Sequence, residues 1–157
     1  MLQRIQSVFL FIAAMLSGLT WLFPVRRWAL DEAAVVYQPS GVFMADGTPL
    51  ADAALPIPYA VLHTVVAVVL LVAVFLYGNR PRQARVVRGG WLVSLLAGVL
   101  QFISSNSLDA YLGEGTKAAG TYGASFFLPI GVVVFAILAE RAIRKDEQLV
   151  RSADRLR

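Results

Sequence analysis

The chain has 157 residues, of which 58% are hydrophobic and only 15% are charged, and its formal net charge at pH 7 is +4. A water-soluble domain of this size cannot bury so much apolar surface, so the composition argues against a soluble protein and predicts one membrane domain. The sequence has no cysteine and one histidine, which excludes disulfides and thiolate chemistry, and we expect no metal centre and no cofactor.

Four apolar runs have the length needed to cross a bilayer, whose hydrocarbon core takes about 20 helical residues. The sequence predicts these spans at residues 5–23, 59–78, 91–112 and 122–143. The first span follows Arg4, as the apolar part of a signal peptide follows a basic residue. It is longer than that apolar part, however, and the residues "LTWLFP" at its end are too bulky for a signal-peptidase cleavage site, which requires small residues. We therefore expect a retained helix. The predicted fold is an all-α membrane protein, one domain over residues 1–157 in which four transmembrane helices form an antiparallel bundle.

The long connection between the first two spans, residues 25–58, is predicted to form a small cap on the outer side. Two short apolar pieces, 35–38 and 42–45, flank the turn residues Pro39, Ser40 and Gly41. This pattern is typical of a β-hairpin. An irregular loop is the alternative, and the sequence leaves both open.

Basic residues are segregated between the two sides of the predicted bundle. Eleven of the 14 lie at the termini or between the second and third spans, and the other side holds Arg26, Arg27 and Lys117. The positive-inside rule therefore predicts that both termini are cytoplasmic. We attribute the basic character to this topology and to contact with anionic lipid headgroups, and we expect no nucleic-acid partner.

The tail at residues 144–157 is predicted to continue the fourth helix into the cytoplasm. It lacks helix breakers, and Glu140 with Arg144 and Glu147 with Arg151 have the four-residue spacing that supports a helix. Its apolar residues recur every three to four positions beside arginines. Such a stripe can rest on the inner headgroups or on a partner helix, and the alternative is an ordinary solvated helix end.

The third span carries a polar stripe that admits two interpretations. Gln101, Ser105 and Asp109 share one helical face, and His63 of the second span is predicted to lie at the same depth. In one interpretation, His63, Gln101, Ser105 and Asp109 line an outward-facing cleft for a lipid headgroup, a quinone-like ligand or a proton. In the other, the stripe is a packing face that ends at the interface. We favour the packing face.

The two ends of the chain, "MLQRIQSVFLFIAA" and "AERAIRKDEQLVRSADRLR", together with four spans and a long first outer loop, carry a family resemblance. The chain resembles domain-of-unknown-function family 4293, small membrane proteins of Bacteroidota. The resemblance implies a bacterial inner membrane and supplies no catalytic residues. It also directs attention to the two cytoplasmic ends as a docking surface for a partner. The candidate docking residues are Gln3, Arg4, Gln6, Leu149, Val150, Arg151, Arg155 and Leu156.

The function expected from these observations is that of a non-enzymatic accessory, scaffold or assembly protein. It would act through lipid contacts and through contacts with another membrane protein or a second copy of itself. The alternative is a small transporter, or a lipid- or quinone-binding membrane protein, that uses the outward-facing cleft. We expect no enzyme, because the sequence has neither a credible nucleophile and base pair nor a nucleotide or hydrolase fingerprint.

Overall fold

A computed structural model describes residues 2–29, 34–50, 59–113 and 119–154 of the chain. These residues form four helices and one small antiparallel sheet. The helices are α1 (Leu2–Leu19), α2 (Tyr59–Phe75), α3 (Arg80–Gly113) and α4 (Ala124–Asp154), and a short 3-10 turn, Leu76–Gly78, follows α2. The strands are β1 (Arg26–Ala29), β2 (Ala34–Gln38), β3 (Gly41–Met44) and β4 (Ala119–Tyr122).

The four helices pack in a cyclic order in which α1 and α3 each lie mainly between α2 and α4. Neighbouring helices run in opposite directions, since the end of α1 contacts the start of α2 and the end of α4 contacts the start of α3. Small and branched apolar residues fill the space between them. The fully buried members of this core include Leu10, Ala13, Leu70, Val87 and Val132.

The sheet lies over one end of the helices, and its strand order is β3-β2-β1-β4. Strand β1 is central and pairs with β2 on one side and with β4, which directly precedes α4, on the other. Alternate side chains point towards the helices, as the period of two in a strand requires. Trp28, Val35 and Tyr37 from this face form a second core with Tyr59 of α2 and Leu108 of α3.

Close backbone approach explains why a glycine joins β4 to α4. The Gly123 N–H donates to the carbonyl of Val25 at 2.8 Å. A Cβ atom on Gly123 would lie 2.1 Å from the carbonyl oxygen of Pro24. Any side chain here would therefore push the chain away from the segment that leads from α1 into β1.

Among the described residues, three helical segments are long and apolar enough to cross a membrane: Tyr59–Gly78, Arg80–Leu112 and Ala124–Val150. The apolar part of α1 is shorter and covers Ile5–Leu19. Most large exposed side chains on α2 and α3 are aliphatic or aromatic, for example Val68, Leu95 and Phe102. Several polar residues in the middle of the same helices, including His63, Ser94 and Gln101, are buried. This is the reverse of the pattern on a soluble protein.

The structure corrects several predicted boundaries. Helix α1 ends at Leu19 instead of residue 23, and α3 begins at Arg80 instead of residue 91. The early start of α3 has a local cause, because Asn79 Oδ1 accepts the N–H of Arg82 at 3.1 Å and so caps the helix. Residue 122, predicted as the start of the fourth helix, is the end of β4.

The predicted tail helix is present, and of the two alternatives left open for the outer connection, the β-hairpin is the one observed. Helix α4 is continuous to Asp154, and the rest of the tail lies outside the described residues. Strands β2 and β3 form the hairpin predicted around Pro39 and Ser40. The sheet is larger than predicted, because β1 pairs with the free edge of β2 and β4 pairs with β1, so both added strands lie on the same side of the hairpin.

Candidate functional site

A closed ring of five hydrogen bonds joins all four helices near the sheet. Gln101 Nε2 donates to the carbonyl of Ser125 at 3.1 Å, and Ser125 Oγ donates to the carbonyl of Thr20 at 2.8 Å. Thr20 Oγ1 donates to the carbonyl of Ser17 at 2.7 Å, and Ser17 Oγ donates to the carbonyl of His63 at 2.7 Å. His63 Nε2 lies 3.3 Å from Gln101 Oε1 and closes the ring.

The direction of this ring fixes the role of one nitrogen of the histidine, Nε2. An amide oxygen can only accept, so Nε2 of His63 must carry a proton and donate it to Gln101. All five side chains are buried. Each residue therefore donates once to the next, and the ring satisfies polar groups that would otherwise be costly to bury among apolar helices.

A second polar group, here called the outer cluster, joins the sheet to α3 and consists of Arg26, Trp28, Ser105, Asp109 and Tyr122. Arg26 Nη2 lies 2.7 Å from Asp109 Oδ2, and Trp28 Nε1 donates to Asp109 Oδ1 at 2.7 Å. Arg26 Nη1 donates to Ser105 Oγ at 3.4 Å and to Tyr122 Oη at 3.3 Å. Its guanidinium also lies 4.4 Å from the ring centroid of Tyr122, within the range of a cation–π contact.

Strand periodicity explains how β1 supplies two members of the outer cluster. Arg26 and Trp28 are two residues apart, so both point towards the helices, while Arg27 between them is exposed. Gly120 of β4 lies beside them, and a Cβ atom there would be 2.6 Å from Arg26 Nε. The cluster therefore needs glycine at this position.

A third polar group, the inner cluster, lies at the opposite end of the helices and centres on the buried carboxylate of Glu140. Arg88 donates to Glu140 Oε1 through Nη2 at 2.6 Å and through Nε at 3.0 Å. Arg144 Nη2 lies 2.9 Å from the same oxygen, and Trp91 Nε1 donates to Oε2 at 2.9 Å. Both clusters thus pair one carboxylate with arginine and with an indole N–H.

The distance between these clusters matches the thickness of a membrane. Helix α3 contributes Arg88 to the inner cluster and Asp109 to the outer cluster, and 21 residues at about 1.5 Å each give about 32 Å. The hydrocarbon core of a bilayer is about 30 Å thick. Tryptophan is typical of both membrane interfaces, and each cluster contains one.

The structure separates the four predicted ligand-binding residues into two groups. His63 and Gln101 contact each other in the ring, whereas Ser105 and Asp109 contact Arg26 in the outer cluster. Sequence reasoning treated Arg26 only as a charge that sets topology, and it missed Trp28. The alternation of Arg26, Arg27 and Trp28 in a strand was the available signal, but the strand itself was not predicted.

The predicted docking residues are only partly described. Leu149 and Val150 are exposed on α4. Gln6 is buried among the helices and does not contribute to a surface. The side chains of Gln3, Arg4 and Arg151 lie outside the part of the chain whose side chains are described, and Arg155 and Leu156 lie outside the described residues altogether.

Comparison with protein families decides the classification. The model of one family, described as Domain of unknown function (DUF4293), matches residues 2–156. The chain belongs to the DUF4293 family. The family membership predicted from the two ends of the sequence is thereby confirmed, and the match to DUF4293 covers all four helices and the sheet. No curated protein matches the chain.

Proposed function

We propose that this DUF4293 protein is a non-enzymatic integral protein of the bacterial inner membrane, with both termini in the cytoplasm. It acts as an accessory, scaffold or assembly subunit through contacts with lipids and with another membrane protein or a second copy of itself. The observation that supports this proposal best is the arrangement of the outer and inner clusters about 32 Å apart on α3. Most large exposed side chains between them on α3 are apolar, for example Leu92, Val99 and Phe102.

The internal use of the polar side chains supports a role without catalysis. His63 donates to Gln101, Asp109 is paired with Arg26, and Glu140 accepts from three side chains. Groups of these kinds carry acid–base chemistry when they face a substrate. Here their contacts with the rest of the protein hold helices and sheet together.

The alternative, a transporter or quinone-binding protein with an outward-facing cleft, has less support. It requires His63 and Asp109 to face a common space, but each is held in a different network. The ring of Tyr59 lies edge-on to the ring of His63, with centroids 6.1 Å apart, on the side of the sheet.

Membrane topology can be tested with single cysteines, since the natural sequence has none. Met44→Cys in β3 and Leu149→Cys in α4 are at exposed positions, and Ala97→Cys in α3 is a buried control. We expect an impermeant maleimide to label Met44→Cys in spheroplasts and Leu149→Cys only after lysis. Ala97→Cys should react only after denaturation. Labelling of Leu149→Cys in sealed spheroplasts would refute the proposed orientation.

Partner binding can be tested by native purification from the source membrane with quantitative mass spectrometry. The double substitution of Leu149 and Val150 by serine removes the exposed apolar surface of the tail. We expect it to abolish recovery of a stoichiometric partner. Leu22→Ser, which removes an exposed leucine near the sheet, is the matched control and should leave recovery unchanged. Equal recovery from all three proteins would contradict docking through the tail.

A further inference from the structure

An open cavity of about 360 Å³, lined by both apolar and charged residues, lies between the first turns of α3 and the last part of α4. Its lining residues are Pro81, Ala84, Arg85, Arg144, Glu147 and Gln148. Arg85 is exposed, and its Nε donates to the carbonyl of Pro81 at 3.3 Å, which leaves its terminal nitrogens available. Among the described residues, no carboxylate is paired with Arg85.

The charges around this cavity leave a small positive excess. Glu140 accepts from both Arg88 and Arg144, so one carboxylate serves two arginines. Arg85 adds a further positive charge, and Glu147 on the cavity wall contributes one negative charge. The net charge of these five residues is +1, which complements a single phosphodiester.

The position of the cavity along α3 matches the headgroup layer of a membrane. Arg85 is three residues before Arg88 of the inner cluster, which places it about 4.5 Å farther from the membrane centre along α3. The headgroup region extends about 5–8 Å beyond the hydrocarbon core on each side. A phosphate at Arg85 would therefore lie at the depth of lipid headgroups.

The same face of α3 continues as apolar surface towards the membrane centre. Leu92 and Val99 follow Arg85 at seven-residue intervals, which places all three on one side of the helix. Both apolar side chains are exposed. A molecule bound with its anionic end at Arg85 can therefore lay its hydrocarbon chain along α3.

We propose that this cavity binds the phosphodiester of an anionic phospholipid from the cytoplasmic leaflet, held by Arg85 and Arg144. The inference rests on the membrane insertion proposed above. If cysteine labelling shows the opposite orientation, both the proposed topology and this inference fall. If the labelling agrees with it and the lipid preference is absent, only this inference falls.

The test uses the purified full-length protein in detergent and measures lipid adducts by native mass spectrometry. Phosphatidylglycerol and phosphatidylcholine with identical acyl chains are the probes. We expect a clear preference for phosphatidylglycerol, and we expect Arg85→Gln and Arg144→Gln each to reduce it about fivefold. Arg82→Gln removes an equal charge from an exposed residue of the same helix that does not line the cavity, and it should change the preference less than twofold.

Three outcomes would overturn the proposal. Equal losses in all three variants would indicate diffuse attraction to a basic surface. Absence of any preference between the two lipids would exclude the site. Displacement of the lipid by millimolar inorganic phosphate would indicate a site for the free anion. Because Arg144 belongs to the inner cluster, Arg144→Lys serves as a second variant that keeps the positive charge at this position. Thermal melting should confirm that the Arg85→Gln protein remains folded.

Discussion

The contact between Asp109 and Arg26 is the part of the outer cluster whose energetic role is most directly testable. Asp109→Asn keeps the shape of the side chain and an oxygen for the Trp28 indole, but removes the charge that faces Arg26. The Arg26 side chain is 8% exposed, so its positive charge would remain largely out of water without its counter-ion. We expect the sheet to become less firmly attached to α3.

The structure sets the expected size of this effect. Removing one partner of a fully buried ion pair costs about 3–5 kcal/mol. The Asp109 side chain is 37% exposed, and water screens the pair, so we reduce the expected loss of unfolding free energy to about 2 kcal/mol. The Tyr122 ring continues to hold the guanidinium by a cation–π contact of about 0.5–1 kcal/mol, which limits the loss further.

The assay is a double-mutant cycle with Asp109→Asn, Arg26→Gln and the combined variant. Unfolding by sodium dodecyl sulfate in mixed micelles, followed by circular dichroism, gives the free energies, and hydrogen–deuterium exchange of β1 amides reports on the sheet. We expect a coupling of about 1–2 kcal/mol and faster exchange in β1. Arg27→Gln, on the exposed face of the same strand, is the control. Additive effects within about 0.5 kcal/mol would refute the inferred ion pair.

Three further predictions concern other parts of the protein. Gly120→Ala would place a Cβ atom 2.6 Å from the outer-cluster guanidinium, so it should destabilise by about 1–3 kcal/mol, measured in the same micelle assay. Gln101→Leu removes two interhelical bonds of the ring and should cost about 1–2 kcal/mol by that assay. Thr48 donates its N–H and hydroxyl to the Asp46 carboxylate, which holds the pKa of Asp46 below its ordinary value. The stability that these Thr48–Asp46 hydrogen bonds contribute is therefore complete above the ordinary pKa of an aspartate. It is lost as the pH falls through the lowered pKa of Asp46. An NMR titration of the Asp46 carboxyl should record this lowered pKa.

Each of these predictions has a matched control. Gly18→Ala meets no atom within 4 Å and lies in a helix, so it should stabilise where Gly120→Ala destabilises. Gln101→Asn shortens the side chain but keeps the amide. If it lowers the unfolding free energy as much as Gln101→Leu does, the length of the side chain and not its polarity determines the effect. Thr48→Ala should raise the pKa of Asp46 towards its ordinary value, whereas Thr48→Ser should keep it low. An unchanged pKa in Thr48→Ala would contradict the assigned cause.

The parts of the fold that the sequence predicted are those encoded by local patterns. Apolar runs indicated most of α2, α3 and α4, and the turn residues after Gln38 indicated the hairpin of β2 and β3. Asn79 and Pro81 were interpreted only as the end of the second span. Asparagine followed by proline in the first turn is also typical of a helix start, and that interpretation would have placed the beginning of α3 correctly.

The parts that the sequence did not predict depend on residues far apart in the chain. Strands β1 and β4 have four residues each and pair Arg26 with Tyr122 across most of the sequence. Trp28 and Asp109 are 81 residues apart. No local pattern connects such positions, so the outer cluster could be found only once the helices had brought the sheet and α3 together.

The ring of hydrogen bonds has a consequence for how the helices can move. Each of the four segments that the ring joins donates one hydrogen bond to a neighbouring segment and accepts one. Most of the acceptors are main-chain carbonyls, whose positions a side-chain substitution does not change. Sliding or rotating a single helix therefore breaks two bonds at once and leaves buried polar groups without their partners. The helices are locked in register at this depth, and any rearrangement of the protein must carry all four together or take place nearer the opposite end.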